Sequence, residues 1–289
     1  MRLGIVGNPR YAELRGLLAR LTVVADGHGI ALSAEPEVAE LFPKAVAPLS
    51  AGSEVDLLLT FGGDGTLLRG ARMFYGQETP VLGVNLGRVG FLTTATPVTL
   101  ESAIDAFIAG AYRIETRRTL ETTITAEGKE PRRGEPALND VVIHKAGVAR
   151  VIHLRVWVDD EPVGQYSADG IIVATPTGST AYSLSAGGPV VAPDVDALVI
   201  TAICPHTLAV RPIVVRGDAR VTMEVAPPVP EEVLVSFDGQ LGASVNPGER
   251  VEVARASQSV RLVRLEPEGF FARMRSKLQW GDLSDRERP

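Results

Sequence analysis

The sequence predicts an α/β domain with a parallel sheet joined to a β-rich, sandwich-like domain. Two observations carry this. Over residues 1–97, short apolar runs alternate with helix-spaced leucines, the pattern of a parallel sheet covered on both faces. Over residues 98–264, strands of alternating apolar and polar residues dominate, separated by Gly/Pro turns, as in antiparallel sandwiches.

The elements follow in order. Leu3 to Val6 is an apolar run ending at Gly7, and Leu14, Leu17, Leu18 and Leu21 recur at helical spacing. Val55 to Phe61 is a second run that stops at Gly62-Gly63; Leu67, Leu68, Ala71 and Met73 then suit a helix. Val81 to Val84 is a third run, closed by Asn85 and Gly87. A helix is expected over Leu100 to Ile108. Alternating strands come next, at Leu120–Ile124, Ile152–Val158, Val221–Val225, Val233–Phe237 and Val251–Val253, with Asp159-Asp160 reading as a turn. Thr180 to Ala186 reads as a helix start. In the tail, Phe270, Phe271, Met274 and Leu278 share one helical face, which predicts a helix docked by that face.

Composition bounds the function. The 289 residues are 45% apolar and 22% charged, ordinary for a globular chain and long enough for two domains. The net charge of −6 gives no general attraction to nucleic acid or an anionic membrane. One cysteine, Cys204, excludes an internal disulfide and a cysteine-based zinc cluster, and it reads as a buried core thiol. The apolar runs are too short to span a bilayer, and the N-terminus lacks a signal-peptide pattern. Together these point to a cytoplasmic protein. His144, His153 and His206 do not share metal-ligand spacing.

Three segments carry chemistry. Phe61-Gly62-Gly63-Asp64-Gly65-Thr66 lies between a strand and a helix. Its glycines let the backbone approach a ligand, and the following helix N-terminus suits phosphate. It is neither a P-loop nor a GxGxxG fingerprint. A carboxylate inside an anion-binding loop would repel phosphate unless it holds a metal or takes a proton; the other reading is a tight turn with an Asp N-cap. The second segment, DGIIVATPTGSTAYSLSAGGP from Asp169 to Pro189, clusters hydroxyls beside backbone N–H groups. Ser and Thr favour caps for local reasons, but so many in a short stretch suits a polar pocket for a sugar or base. The third is Asn139-Asp140 opening a strand, by itself a turn signal.

Taken together, these segments resemble the NAD kinase family, whose members phosphorylate NAD to NADP. The GGDGT loop at 62–66 is shared with diacylglycerol and sphingosine kinases, and its GGD with phosphofructokinases. The Asp169–Pro189 segment is far more specific. NLGRVGFL (85–92), CPHTLAVRPIVV (204–215), FDGQ (237–240) and SKLQW (276–280) also match, in order, so the similarity covers essentially the whole chain.

The resemblance implies an α/β domain of residues 1–97 plus 265–289 carrying the GGDGT loop, and a dinucleotide-binding domain of residues 98–264. It implies transfer of the terminal phosphoryl group of ATP, or of polyphosphate, to the adenosine 2′-hydroxyl of NAD. Asp64 matches the family's catalytic aspartate, within a loop formed by Gly62, Gly63, Gly65 and Thr66. Arg69 matches a position that reaches the nucleotide. Asn139 and Asp140 match the pair holding the dinucleotide's sugar and base; the family often has Asn-Glu there, one methylene longer. Arg150 falls where some relatives place a basic or imidazole group near the ligand. Asp169 matches a binding aspartate. Thr177, Thr180, Ala181, Tyr182, Ser183 and Ser185 match the stretch wrapping the nucleotide, and Gln240 a polar contact after the FDG turn. A divalent cation, Mg²⁺ by preference, is expected mainly on the donor's phosphates, with no protein metal ligands assigned. A homo-oligomer, dimer or tetramer, is expected, with no nucleic-acid or membrane partner. Two other readings are a lipid kinase of the same superfamily, which calls for an exposed apolar patch or an amphipathic membrane helix near the site, and a non-catalytic dinucleotide sensor, which calls for loss of the loop carboxylate.

Overall fold

The computed structural model describes residues 1–87, 90–147, 151–227, 232–265 and 269–279. The chain forms two compact units, one of Met1–Thr116 with the chain from Val260 onward, the other of Arg117–Ser259.

The first unit contains five parallel strands, β1 (Arg2–Gly7), β2 (Ala31–Ala34), β3 (Ala47–Pro48), β4 (Leu57–Gly62) and β5 (Val81–Asn85). They lie in the order β3-β2-β1-β4-β5. Its helices before the tail are α1 (Leu14–His28), α2 (Pro36–Ala39), α3 (Asp64–Met73) and α4 (Leu100–Ile108). Strand β4 is buried along its whole length and β1 beyond its first residue, which is why both read as unbroken apolar runs. Leucines 14, 17, 18 and 21 of α1 pack with Leu3, Ile5, Leu57 and Leu59 in one core. The order of strands reverses between β1 and β4, and in open α/β sheets the carboxyl ends of strands at such a reversal form the ligand crevice.

The unit also holds residues 98–116, grouped with the second domain by sequence pattern. Leu100, Ala103 and Ile104 of α4 enter the same core as Leu14 and Leu18, and Arg20 pairs with Glu101 at 2.6 Å. An apolar stripe specifies that a helix must be covered, not by what; here α1 covers it. Residues 260–264 also lie here rather than with the strands before them, since Leu262 pairs in parallel with Val81 and Val263 enters the core.

The second unit is built from antiparallel strands. β6 (Arg113–Thr125) enters it from the first unit and pairs with β7 (Arg132–Arg133). The remaining strands are β8 (Asp140–Lys145), β9 (Ile152–Val158), β10 (Glu161–Ala168), β11 (Gly170–Ala174), β12 (Ala197–Ile203), β13 (Ile213–Arg216), β14 (Val221–Ala226), β15 (Val233–Phe237), β16 (Gln240–Val245) and β17 (Arg250–Arg264). One sheet runs β13-β12-β11-β8-β15-β16. In the other, β9 lies between β10 and β14, and β14 pairs with β17. Alternate residues from both sheets, among them Val141, Ile143, Ile171 and Val173 with Leu154, Val156, Met223 and Val253, form a single core, as a sandwich requires. β11 and β12 are buried on their other face too, against Val191 and Ala186, so they read as continuous apolar runs rather than alternating ones. Asp159 and Asp160 both take left-handed conformations (φ 49° and 68°) in the two-residue β9–β10 turn, the geometry that matches strand twist.

The helix expected over Thr180–Ala186 is instead a 3₁₀ turn, Gly178–Thr180, followed by one α-turn, α5 (Tyr182–Ser185). Cys204, expected in the core, is exposed in a left-handed conformation (φ 45°), because β12 ends one residue before it. The tail helix α6 (Phe270–Leu278) belongs to the first unit. Its buried residue is Arg273, while Phe271 is 61% exposed. The apolar face drawn from spacing is therefore only partly the one that docks: Phe270 meets the Phe91 ring at 6.3 Å. Among the described residues no helix is long and apolar enough to cross a membrane.

Candidate functional site

The GGDGT loop joins β4 to α3 at the reversal of strand order. Gly62 must be glycine, because a Cβ there would meet the Thr66 Oγ1 at 2.2 Å. Gly63 is the N-cap of α3 and Asp64 its first residue, so Asp64 is not the cap that a turn reading would make it. Its carboxylate turns away from the helix to a neighbouring loop. Oδ2 accepts the Phe91 N–H at 2.8 Å and Oδ1 the Leu92 N–H at 3.2 Å. Gly90 packs so closely that a Cβ there would stand 1.8 Å from Oδ1. The two N–H bonds hold the carboxylate in one orientation at the positive end of the helix. From the tail, the Lys277 Nζ approaches Oδ2 at 3.5 Å and lies 4.4 Å from the centre of the Phe91 ring.

Beside this loop opens a cavity of about 590 Å³, lined by Gly7, Asn8, Arg10, Tyr11, Gly63, Gly65, Thr66 and Arg69 among others. It sits over the carboxyl ends of β1 and β4, where the topology predicts a ligand. The α3 N-terminus, Arg10 and Arg69 bring positive charge to it, beside the carboxylate of Glu37. Arg69 is anchored by an ion pair with Glu35 and by donating to the Gly7 carbonyl at 2.8 Å. Glu35 in turn accepts the Gly7 N–H at 3.2 Å, so guanidinium and strand end are held as one piece.

In the second unit, a cavity of about 470 Å³ is lined by Asn139, Asp140, His144, Lys145, Asp169, Ala181, Tyr182, Ser236 and Asp238 among others. Asp238 is left-handed (φ 50°), and its carboxylate accepts the N–H groups of Leu138, Asn139 and Asp140 at 3.0, 2.7 and 3.2 Å. This fixes the Asn139-Asp140 turn. Asp140 is 3% exposed, and burial, reinforced by the negative charge of Asp238, pushes its carboxyl up to about 7. Lys145 pairs with Asp169 at 2.7 Å.

The structure therefore gathers Asn139, Asp140, Asp169, Ala181 and Tyr182 around one cavity, and Gly63, Gly65, Thr66 and Arg69 around another, with Asp64 beside them. Other expected contacts lie elsewhere. The hydroxyl of Thr177 is buried and accepts from Arg117 at 3.3 Å. Ser183 is buried against the Thr201 hydroxyl at 2.9 Å. Thr180 closes the 3₁₀ turn onto the Thr177 carbonyl at 3.2 Å. Much of the hydroxyl cluster thus holds the 176–191 segment on its sheet, the local role that Ser and Thr often fill. Ser185 and Gln240 are exposed and do not line the cavity. Arg150 lies outside the described residues. Asp238, Lys277 and the Gly90–Leu92 loop lie in the FDGQ, SKLQW and NLGRVGFL segments, but the sequence assigns them no role, because each acts on a partner far along the chain. Glu35 and Lys145 lie in no motif at all.

Comparison with known proteins shows what the chain resembles. Residues 3–112 match the ATP-NAD kinase N-terminal domain and residues 138–265 the ATP-NAD kinase C-terminal domain. An NAD kinase from Gemmatimonas aurantiaca is 44% identical over 287 residues, covering 99% of both chains. One from Acidobacterium capsulatum is 38% identical over 288 residues, 97% of this chain and 99% of the relative. Among solved structures, yeast NADH kinase complexed with NADH superposes with a TM-score of 0.88 at 26% identity, covering 100% of this chain and 90% of the other.

Proposed function

The chain belongs to the NAD kinase family and uses ATP to phosphorylate NAD, and we propose that Asp64 directs the adenosine 2′-hydroxyl at the terminal phosphoryl group. The observation that carries this role is the carboxylate's fixed placement: first residue of α3, both oxygens held by the Phe91 and Leu92 N–H groups. The 2′-oxygen forms a bond to the terminal phosphorus as the bond from that phosphorus to its bridging oxygen breaks, and ADP leaves. The hydroxyl proton passes to Asp64 and then to solvent. An aspartate is a weak base for a sugar hydroxyl, so it works chiefly by orienting it, and phosphoryl transfer depends mostly on such positioning and on charge. The cavity with Arg10, Arg69 and the α3 N-terminus suits the donor's phosphates. The cavity with Asn139, Asp140, Asp169 and Tyr182 suits the dinucleotide.

A divalent cation fits these residues in one way. Among the described residues no three His, Cys, Asp or Glu side chains stand together as a metal cage. Mg²⁺ keeps waters and binds largely through phosphates, so Asp64 and the cavity carboxylate Glu37 need add no more than an oxygen or a water contact. When bound, the cation would neutralise charge developing on the transferred group. A cytoplasmic location, supported by the single cysteine, and polyphosphate as an alternative donor and a homo-oligomer, supported by the family resemblance, complete the proposal.

The test is direct. Purified protein is incubated with NAD, Mg²⁺ and either ATP or polyphosphate, and NADP is measured with an NADP-specific dehydrogenase. NADP should form with ATP, and a folded Asp64→Asn variant should lose about 10²–10⁴-fold in rate. Full activity in that variant would remove Asp64 from the reaction; NAD binding without turnover would favour a sensor.

A further inference from the structure

We propose that Arg264 is a positioning residue for Asp64, acting through the peptide backbone of Phe91 and Leu92. The inference rests on the role of Asp64 given above. Arg264 is 1% exposed, the bulkiest of the fully buried side chains. Its Nε donates to the Glu115 carboxylate at 2.8 Å. Nη1 donates to the Leu92 carbonyl at 2.7 Å and the Thr94 hydroxyl at 2.9 Å, and Nη2 to the Phe91 carbonyl at 3.3 Å.

The Phe91 carbonyl and the Leu92 N–H belong to one peptide group. That group is planar and rigid. Fixing its oxygen on Arg264 therefore fixes the direction of its N–H, which donates to Asp64 Oδ1 at 3.2 Å. The guanidinium charge also polarises the peptide, strengthening the donor at its other end. The neighbouring Phe91 N–H, at 2.8 Å from Oδ2, is carried by the same loop.

Burying a guanidinium is costly unless its donors are matched. A neutral side chain could fill the space, but only the planar fork of arginine presents donors in several fixed directions. Here Nη1 and Nη2 each hold a carbonyl of the loop that grips the Asp64 carboxylate, while the Glu115 contact of Nε and the Thr94 hydroxyl fix the guanidinium itself. Lysine keeps the charge and loses the fork.

Full-length Arg264→Lys and Thr94→Val, each alone and combined with Asp64→Asn, separate this role from plain structural support. Folding is checked by circular dichroism and melting. Arg264→Lys should lower kcat by about 10- to 100-fold, the scale of an ångström-level misplacement, while KM for NAD and ATP changes less than about threefold. In the Asp64→Asn background, the same change should cost less than about twofold, because residues acting as one unit are non-additive. Thr94→Val removes one acceptor without touching Asp64 and should lower kcat by about two- to fivefold in the parent only; it carries the test if Arg264→Lys does not fold. An equal loss in both backgrounds, or unchanged kcat in the folded variants, overturns the proposal. If Asp64→Asn alone keeps full activity, the reading of Asp64 has failed, and that result is visible before any Arg264 variant is considered.

Discussion

The ammonium of Lys277 stands 3.5 Å from Oδ2 of Asp64, across 213 positions of sequence. Both side chains are partly exposed, at 29% and 26%, so the pair adds at most about 1 kcal/mol to stability. On the proposed role of Asp64 we expect its weight to lie in chemistry, because a cation beside that carboxylate can offset charge on the transferring group. Lys277→Met should melt within a few degrees of the parent yet lose about tenfold in kcat. Lys277→Arg should retain more activity. A full rate for Lys277→Met in steady-state assays would leave the lysine as surface decoration.

Gly90 has no room for a side chain against Asp64. The added methyl of Gly90→Ala would stand 1.8 Å from Oδ1, so either the loop or the carboxylate must move. We expect a folded protein whose kcat falls on the scale of Asp64→Asn, about 10²–10⁴-fold, with dinucleotide binding by calorimetry retained. Activity within twofold of the parent would show that the loop can shift without consequence.

Asp238 holds the Asn139-Asp140 turn by three N–H groups while itself left-handed. Asn tolerates that conformation and keeps one acceptor, whereas Ala does neither. Asp238→Ala should raise KM for NAD by more than tenfold and lower the melting point, at about 1–3 kcal/mol for the unsatisfied donors. Asp238→Asn should lie between. Equal effects of both substitutions would argue against this account.

Asp140 makes stability depend on pH. Its carboxyl is raised from 3.8 to about 7 by burial and then by Asp238. In the unfolded chain it loses its proton near 4; in the folded protein it keeps it until about 7. The folded state therefore binds more protons across this window, and stability falls as pH rises through it. The contribution is full below pH 4 and gone above about 7, at up to ~1.4 kcal/mol per unit. Without ligand, Asp140→Asn should flatten the denaturation free energy between pH 4 and 7 relative to the parent. Parallel profiles for the two proteins would contradict the burial argument.

The local elements were legible because periodicity reports burial directly. The leucines of α1, the buried runs of β1 and β4, and the alternating strands of the sandwich each announce a face that must leave water. The GGDGT loop was legible too, since glycines at a strand-to-helix junction signal close backbone approach, and at Gly62 a Cβ would collide with Thr66. Partners were not. Nothing in the tail says that Lys277 meets Asp64, or in β17 that Arg264 grips the Phe91 and Leu92 carbonyls. Hydroxyls at Thr177 and Ser183 read as ligand contacts, yet the fold uses them for internal hydrogen bonds. Cys204 reads as core from its apolar neighbours, yet its strand ends one residue earlier. Chain-local chemistry sets which residues can turn, bury or carry charge. Which distant atoms they then meet depends on how the chain closes on itself, and only the assembled units decide that.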